Sequence, residues 1–244
     1  MAEVKRSAWK RLSIEATVIV GSILLAFAID AWWDQRQERS LERTALIGLQ
    51  SEYQNHRALI VRHKAQHESI IQHVSYLMDS TQSGAWNSNE YSIDNSIQFL
   101  LIPSTTDLGN GVRDSLINAG NIGIISDVQL RYDLSAWDSV MEELSDDQEL
   151  GRNIVMNMII PYLARSGIPY AGWQTFTEEK WGNLESWTLA SDPDSVARLL
   201  KDPEFRSILS VRFTFLHHAT GEFDRAIDAV DTILAKIESA LDTQ

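Results

Sequence analysis

A regular spacing of mainly apolar residues constrains the fold of this chain more than any other feature of its sequence. Steps of three and four residues connect Leu46, Leu49, Tyr53, His56, Ile60, His63, His67, Ile70, Val74 and Leu77. Such spacing places all of these side chains on one face of a helix, as in coiled coils. Residues 38–79 are therefore predicted to form one long helix that packs against another helix.

A second stretch with the same kind of spacing lies near the C-terminus. Its members are Leu216, Thr220, Phe223, Ile227, Val230, Leu234, Ile237 and Leu241. Two helix starts, Asp192–Pro193 and Asp202–Pro203, each place an N-cap before a proline at the first helical position, and the second opens this long helix. The fold predicted from these features is mostly α, an elongated antiparallel helical bundle with coiled-coil-like packing. Parallel self-association of residues 38–79 is the alternative.

Several shorter helices are predicted between the two long ones. Residues 92–102 form a helix that Pro103 ends, and residues 112–118 form one that Gly120 ends. Ser126 and Gln129 match a capping box, so a helix starts there and runs to about Leu144, with an interruption at Asp146 and Asp147. The predicted helix after it ends near Arg165. Three tryptophans of the irregular stretch 167–189 are predicted to cap the bundle: Trp173, Trp181 and Trp187.

The N-terminal segment is apolar and suggests a membrane anchor. Residues 16–29 carry no charge, and tryptophans flank the wider stretch 12–33 at positions where indoles favour lipid headgroups. The prediction is a short cytoplasmic N-terminus (1–11), a transmembrane helix (12–33) and an extracytoplasmic helical domain (34–244). The helix would anchor the chain in the lipid bilayer of the bacterial inner membrane, and the C-terminal domain would lie in the periplasm. A signal peptide cleaved after Ala28 is the competing interpretation.

One face of this N-terminal helix carries small and polar residues. Glu15, Ser22, Ala26 and Asp30 fall close together at 100° per residue. Ser22 and Ala26 are four apart, which lets two helix backbones approach closely. This stripe predicts association with a second copy or with other membrane proteins.

Three parts of the chain resemble a family of bacterial single-pass membrane proteins of unknown function. The first is residues 22–39, which read SILLAFAIDAWWDQRQER; the others are residues 114–131 and residues 200–209. The resemblance implies one anchor followed by a helical exported domain. It implies no catalytic residue, because the family has no assigned activity.

Composition excludes several kinds of function. The chain has no cysteine, which removes disulfides, thiolate nucleophiles and cysteine-based metal sites. Its formal net charge is −13, which disfavours binding to nucleic acid. Neither a P-loop nor a nucleophile elbow is present, so the chain is predicted not to be an enzyme and to use no cofactor.

Two sets of residues remain as candidate sites. His56, His63 and His67 lie in the first apolar seam and predict a pH-responsive contact, because imidazole titrates near neutral pH. His63 and His67 also have metal-ligand spacing, but the sequence offers no clear third ligand, so no metal site is predicted. The second set is a possible ligand pocket of Arg113, Asp114, Asn118 and Arg131, for which salt-bridged helix starts are the alternative.

Together these features favour a non-catalytic, membrane-anchored interaction or scaffold protein, either an accessory subunit of a complex or a homo-oligomer. The alternative is a sensory module that binds a small ligand or protons in the helical bundle and signals through a partner.

Overall fold

The computed structural model describes residues 2–86, 91–103, 106, 108–109, 111–167 and 192–243, with side chains from residue 19 onward. The helices are α1 (Ala2–Ser83), α2 (Ile93–Leu100), α3 (Val112–Asn118), α4 (Val128–Ile154), α5 (Ile160–Arg165), α6 (Pro193–Lys201) and α7 (Pro203–Asp242). A 3₁₀ turn (Ile122–Ile124) precedes α4 and a π turn (Val155–Ile159) follows it. The described residues contain no strand, so the mostly-α prediction is confirmed. Trp173, Trp181 and Trp187 lie outside the described residues.

The two long helices pack antiparallel, as the sequence predicted. Arg57 binds Asp231 at 2.6 Å, and Lys64, further along α1, binds Asp224, which is earlier in α7, at 2.6 Å. The helix predicted over residues 38–79 is the second half of a longer one, since α1 has 82 residues and α7 has 40. Only the second half of α1 is therefore covered by α7.

The predicted seam of α1 is confirmed, and that of α7 is partly wrong. Every predicted α1 position is buried except His63, which is half-buried. On α7 the buried positions include Ala219, Ala226 and Ile233, while Thr220, Ile227, Leu234 and Leu241 are only half-buried. The reason is that α7 packs against α4 as well as α1. A helix between two neighbours buries the side chains that point between them.

Helix α4 begins and ends differently from the prediction. Its N-cap is Asp127, whose carboxylate accepts hydrogen bonds from the backbone N–H groups of Gln129 and Leu130. The predicted cap, Ser126, instead donates to Glu42. The helix also runs through Asp146 and Asp147 without interruption, because the exposed Asp146 leaves the buried face of the helix unchanged. The helices starting at Pro193 and Pro203 have the predicted N-caps, Asp192 and Asp202.

The apolar interior forms two clusters along the bundle. One lies around Leu77, Leu100 and Phe205, where α2, α5 and α6 pack on the far end of the long pair. The other lies around Leu49, Trp137 and Phe223, where α3 and α4 pack on it. The two clusters account for the elongated shape of the bundle.

The prediction of a membrane anchor is not supported. Among the described residues, no helix contains a segment long and apolar enough to cross a bilayer. The predicted span 12–33 begins in the stretch 12–18, whose side chains lie outside the described part of the structure. Within that span the uncharged residues 16–29 would cover only about 21 Å, against a hydrocarbon core of roughly 30 Å. The predictions of a transmembrane helix at 12–33, of a single-pass architecture and of an inner-membrane location are therefore not supported.

Candidate functional site

The first half of α1 projects beyond the bundle and exposes its apolar side chains. Every described side chain from residue 19 to residue 41 is exposed, and we call this stretch the projecting segment. Its large apolar side chains are 50–67% exposed: Ile19, Val20, Ile23, Leu24, Leu25, Phe27, Ile29, Trp32, Trp33 and Leu41. An exposed apolar surface of this extent marks an interaction site.

The apolar side chains of the projecting segment surround the helix. At 100° per residue, Val20, Leu24 and Phe27 share one face. Leu25, Ile29 and Trp32 share the opposite face. A helix that is apolar on both sides is normally buried on both sides. Neither face is covered by any described residue of this chain.

The predicted association stripe lies on this segment. Ser22, Ala26 and Asp30 are all exposed, while the side chain of Glu15 lies outside the described residues. Near Gly21, a methyl group added at Cα would meet no atom within 4 Å. The small residues are therefore not required by packing within this chain, and close approach of another helix remains a sufficient reason for them.

An open polar groove of about 650 Å³ lies where α1 leaves the bundle. Its charged lining residues are Glu38, Glu42, Asp127 and Arg39, so acidic groups outnumber basic ones. Glu42 is buried and accepts hydrogen bonds from both the backbone N–H and the hydroxyl of Ser126, each at 2.6 Å. These bonds fix the start of α4 against α1 at the base of the projecting segment.

The predicted histidines contact different partners along the seam. The Nε2–H of His56 donates to the Gly109 carbonyl at 3.0 Å, and that of His67 donates to the Leu216 carbonyl at 2.7 Å. Burial lowers the pKa of His67 and of the half-buried His63. His67 thus joins α1 to α7, and His56 joins α1 to the segment before α3. Among the described residues, these histidines do not converge on a common ligand position.

A fourth histidine was missed by the sequence interpretation. His73 is buried, its Nδ1 lies 2.9 Å from the Ser96 hydroxyl, and its ring stacks on Phe99 with centroids 3.9 Å apart. Burial lowers the pKa of His73 as well. His73 is three residues after Ile70 and four before Leu77, so it fits the spacing as well as Val74 does. The sequence interpretation followed only the apolar Val74 at this turn.

His56 belongs to a buried aromatic cluster. Its ring stacks on Trp137 at 5.8 Å, and Tyr53 meets both rings edge-on, at 5.2 Å from His56 and 5.3 Å from Trp137. Burial raises the pKa of the Tyr53 hydroxyl far above its ordinary value. Among the described residues, the Tyr53 hydroxyl, the His56 Nδ1 and the Trp137 Nε1 have no hydrogen-bond partner. The cluster is therefore held by ring packing.

Arg113, from the predicted ligand pocket, lies beside this cluster and is almost fully buried. Its Nε–H donates to the Leu134 carbonyl at 2.6 Å, and its two NH₂ groups bind Asp114 and Asp138, each at 2.7 Å. Burial alone would lower the pKa of Arg113, but the hydrogen bond to Asp138 and the nearby carboxylates outweigh it, and the pKa is raised. These contacts match a salt-bridged helix start, the alternative interpretation of this set.

The other predicted pocket residues lie apart from Arg113. Asn118 is exposed at the end of α3, and Arg131 donates to the Ile125 carbonyl at 3.1 Å. The structure thus joins Arg113 to Asp114 and places Arg131 and Asn118 in separate local roles. Whether the four bind a ligand stays a prediction.

A further polar group joins α4 to α7 and had no sequence signal. Asp147, His218 and Glu222 each direct one potential ligand atom to a common point, with the three atoms within 4.8 Å of one another. From the sequence alone, the adjacent His217 and His218 indicate only an ordinary helix surface, because neighbouring residues on a helix point in different directions. The third member, Asp147, comes from a helix that is distant in sequence.

Arg212 lies next to this group in the fold. Its guanidinium is buried and donates to the carbonyls of Gly151 at 3.1 Å and Ile102 at 2.7 Å. Burial lowers the pKa of Arg212 to about 10. Together with Asp147 and His67, Arg212 lines a small cavity of about 10 Å³. The arginine joins α7 to the ends of α2 and α4.

Comparison of the chain with protein-family models, with curated proteins and with solved structures gives no match. The resemblance of residues 22–39, 114–131 and 200–209 to a family of single-pass membrane proteins is therefore not supported. The single membrane anchor that the resemblance implied is not supported either. Any function assigned to this chain rests on its own surfaces and contacts.

Proposed function

We propose that this chain is a non-catalytic interaction protein that associates with a second copy of itself through the projecting segment. The observation that carries the proposal is the exposure of every described side chain from residue 19 to residue 33, where apolar side chains lie on all faces of the helix. Burial of these side chains against an identical helix would remove a large apolar area from water, which is the main driving force of association.

The charge pattern along α1 favours an antiparallel arrangement. Basic residues precede the apolar part, among them Arg6 and Lys10, and a mixture of acidic and basic residues follows it, including Asp34 and Glu38. An antiparallel pair that crosses near Ser22 places Lys10 opposite Asp34 and Arg6 opposite Glu38, against one like-charge pair, Lys5 with Arg39. A parallel pair would place like charges side by side, which costs association energy. The crossing point falls on the small residues, where two backbones can approach closely.

This arrangement defines what the protein would do. A pair related by a two-fold axis uses the same surface on both copies, so association closes at two. The two bundles would then stand at opposite ends of a helical rod, each presenting its acidic groove and outer surface. The protein would act as a spacer that holds two identical bundles at a fixed separation.

The test is the mass in solution of the purified full-length chain, measured by light scattering after size exclusion. The wild type should be a dimer, and Leu24→Glu should be a monomer because it places a charge in the buried contact. Met156→Glu is the matched control, since Met156 is 56% exposed in the π turn after α4, next to residues that pack at the far end of the bundle. A monomeric wild type would refute the proposal, as would co-flotation of monomers with phosphatidylcholine vesicles.

Crosslinking distinguishes the two arrangements, and the absence of native cysteine makes single-cysteine variants clean. Ser22→Cys should crosslink with a short bismaleimide because it lies at the crossing point. Asp34→Cys should not, because the two copies of residue 34 would lie about 36 Å apart in an antiparallel pair. Crosslinking of both variants would show a parallel pair and contradict the antiparallel proposal.

A second candidate function rests on the buried histidines. Three histidines on α1 (His63, His67 and His73) have pKa values that burial lowers, and His67 bridges α1 to α7. Protonation of such a contact would weaken the bundle, so we propose as the alternative that the bundle senses protons and signals through a partner. Loss of the pH response in His67→Gln, tested below, would support this candidate.

A further inference from the structure

We propose that Asp147, His218 and Glu222 form a binding site for one divalent transition-metal ion of the Zn²⁺ type. His218 and Glu222 are four residues apart on α7 and therefore project from the same face. Asp147 reaches the same point from α4, with its Oδ1 3.9 Å from the His218 Nε2. All three potential ligand atoms lie within 4.8 Å of one another. The site is separate from the projecting segment and does not depend on the function proposed for it.

The geometry suits a small ion. Zinc binds histidine nitrogen and carboxylate oxygen at about 2.0–2.2 Å, so two ligands of one ion lie roughly 3–4 Å apart. Atoms already within 4.8 Å need only small side-chain rotations to reach that separation. A set of three protein ligands leaves a fourth position, and the exposed His218 opens that position to solvent.

The burial of the two carboxylates gives an independent reason for a cation. Glu222 is 8% exposed and Asp147 is 17% exposed at the side chain. The Oδ2 atom of Asp147 is buried and has no hydrogen-bond partner among the described residues. A buried carboxylate without full pairing costs free energy, which a bound cation would offset. The mixture of one imidazole with two carboxylates favours Zn²⁺ over Mg²⁺ and Ca²⁺, which prefer oxygen ligands alone.

Two arginines lie near the site and limit its affinity. Arg225 binds Glu222 and also Glu143, the latter at 3.1 Å, so it can keep Glu143 when the metal takes Glu222. Arg212 shares the small cavity beside Asp147, but its hydrogen bonds go to backbone carbonyls. The metal would therefore exchange one ion pair of Glu222 for a coordination bond and leave the remaining contacts in place.

The test is calorimetric titration of Zn²⁺ into the untagged full-length chain, with His217 and His218 as a matched pair. Loss of an outer-shell partner alone weakens metal binding by about 10–100-fold, so His218→Ala should lower the affinity by more than about tenfold. His217→Ala removes the adjacent histidine of the same exposed helix surface and should retain the wild-type affinity and a stoichiometry of one. Asp147→Asn should behave as His218→Ala does.

Two further measurements keep the result unambiguous. Zn²⁺ should raise the melting temperature of the wild type and of His217→Ala but leave that of His218→Ala unchanged, because only a site of the folded protein is stabilised by its ligand. His63→Ala tests the other histidine pair at metal-ligand spacing and should bind Zn²⁺ normally. Equal affinities for His217→Ala and His218→Ala, a loss of binding in His63→Ala, or equal binding of Mg²⁺ would each overturn the proposal.

Discussion

The first and second halves of α1 share one continuous helix but differ in what covers their apolar side chains. From residue 46 to residue 77, apolar side chains at three-four spacing are buried against α7 and the shorter helices. From residue 19 to residue 33, equally apolar side chains are exposed on all faces. The difference arises because α7 is shorter than α1 and ends at Asp242. This end of α7 lies beside Arg43 of α1, whose guanidinium donates to the Leu241 carbonyl at 3.4 Å.

The pattern of apolar residues distinguishes the two halves as clearly as the structure does. A single apolar stripe needs one partner face, and this chain supplies it. An apolar surface that surrounds the helix needs cover from several directions, and no described residue of this chain supplies any. Stability should therefore depend on the second half of α1, and association on the first.

The largest effect should come from a pair of tryptophans, one in each region. Trp137 is 1% exposed within the aromatic cluster, whereas Trp33 is 60% exposed on the projecting segment. Trp137→Ala should lower the free energy of unfolding by about 3–5 kcal/mol through lost burial and a cavity. In the Leu24→Glu variant, which should be monomeric, Trp33→Ala should change it by less than about 0.5 kcal/mol. Urea unfolding followed by circular dichroism measures both; similar losses would remove the distinction between the two regions.

A second pair tests which face of α7 belongs to the bundle. Ile233 is buried and the adjacent Leu234, which the sequence favoured, is half-buried. Ile233→Ala should cost about 3 kcal/mol and Leu234→Ala about 1 kcal/mol, in proportion to the area each removes from water. The same urea experiment decides between them, and a larger loss for Leu234→Ala would restore the seam predicted from the sequence.

The sequence was sufficient for the features that depend on local residues. The seam of α1, the limits of α3, and the N-caps Asp192 and Asp202 follow from spacing, glycine and proline, all of which act within a few residues. The apolar segment was also visible in the sequence, but the sequence interpretation wrongly assigned it to a lipid bilayer.

Features that depend on a third helix were not predictable in the same way. The register of the α7 seam depends on α4, which no residue of α7 reveals. Ser126 matched a capping box, but Glu42 of a distant helix binds it, and Asp127 caps α4 instead. The sequence could not show that Asp147 lies beside His218, because the two residues are 71 positions apart and meet only after folding.

A third prediction compares two arginines. Arg113 is 1% exposed and holds the Leu134 carbonyl, whereas Arg36 lies over the ring of Trp32 on the exposed segment, 5.7 Å from its centroid. Arg113→Ala should cost about 2 kcal/mol, mainly because a buried carbonyl loses its donor. The carboxylates of Asp114 and Asp138 add little because they are exposed to solvent.

The control is Arg36→Ala, which should leave the free energy of unfolding within about 0.5 kcal/mol of wild type. Arg113→Lys keeps the positive charge but lacks the Nε–H that reaches Leu134, so it should not restore the stability. Full rescue by lysine would show that charge, and not the buried hydrogen bond, is what matters at this position.

The smallest expected effect is a pH dependence that is confined to the bundle. Burial lowers the pKa of His67 in the folded chain, although the nearby Glu68 and the hydrogen bond to Leu216 oppose the shift and Arg212 and His217 add to it. In the unfolded chain this imidazole titrates near pH 6.5. Below that pH the unfolded state gains a proton that the folded state does not bind, so stability is complete above about pH 6.5 and falls as the pH decreases.

Urea unfolding at pH 7.5 and at pH 5.5 measures this loss, which should be about 1 kcal/mol for one such histidine. His67→Gln should reduce the loss, because an amide can still donate to the Leu216 carbonyl but does not titrate. The projecting segment contains no histidine. Self-association should therefore be equal at the two pH values, and dimers that dissociate at pH 5.5 would show that the two halves of α1 are coupled.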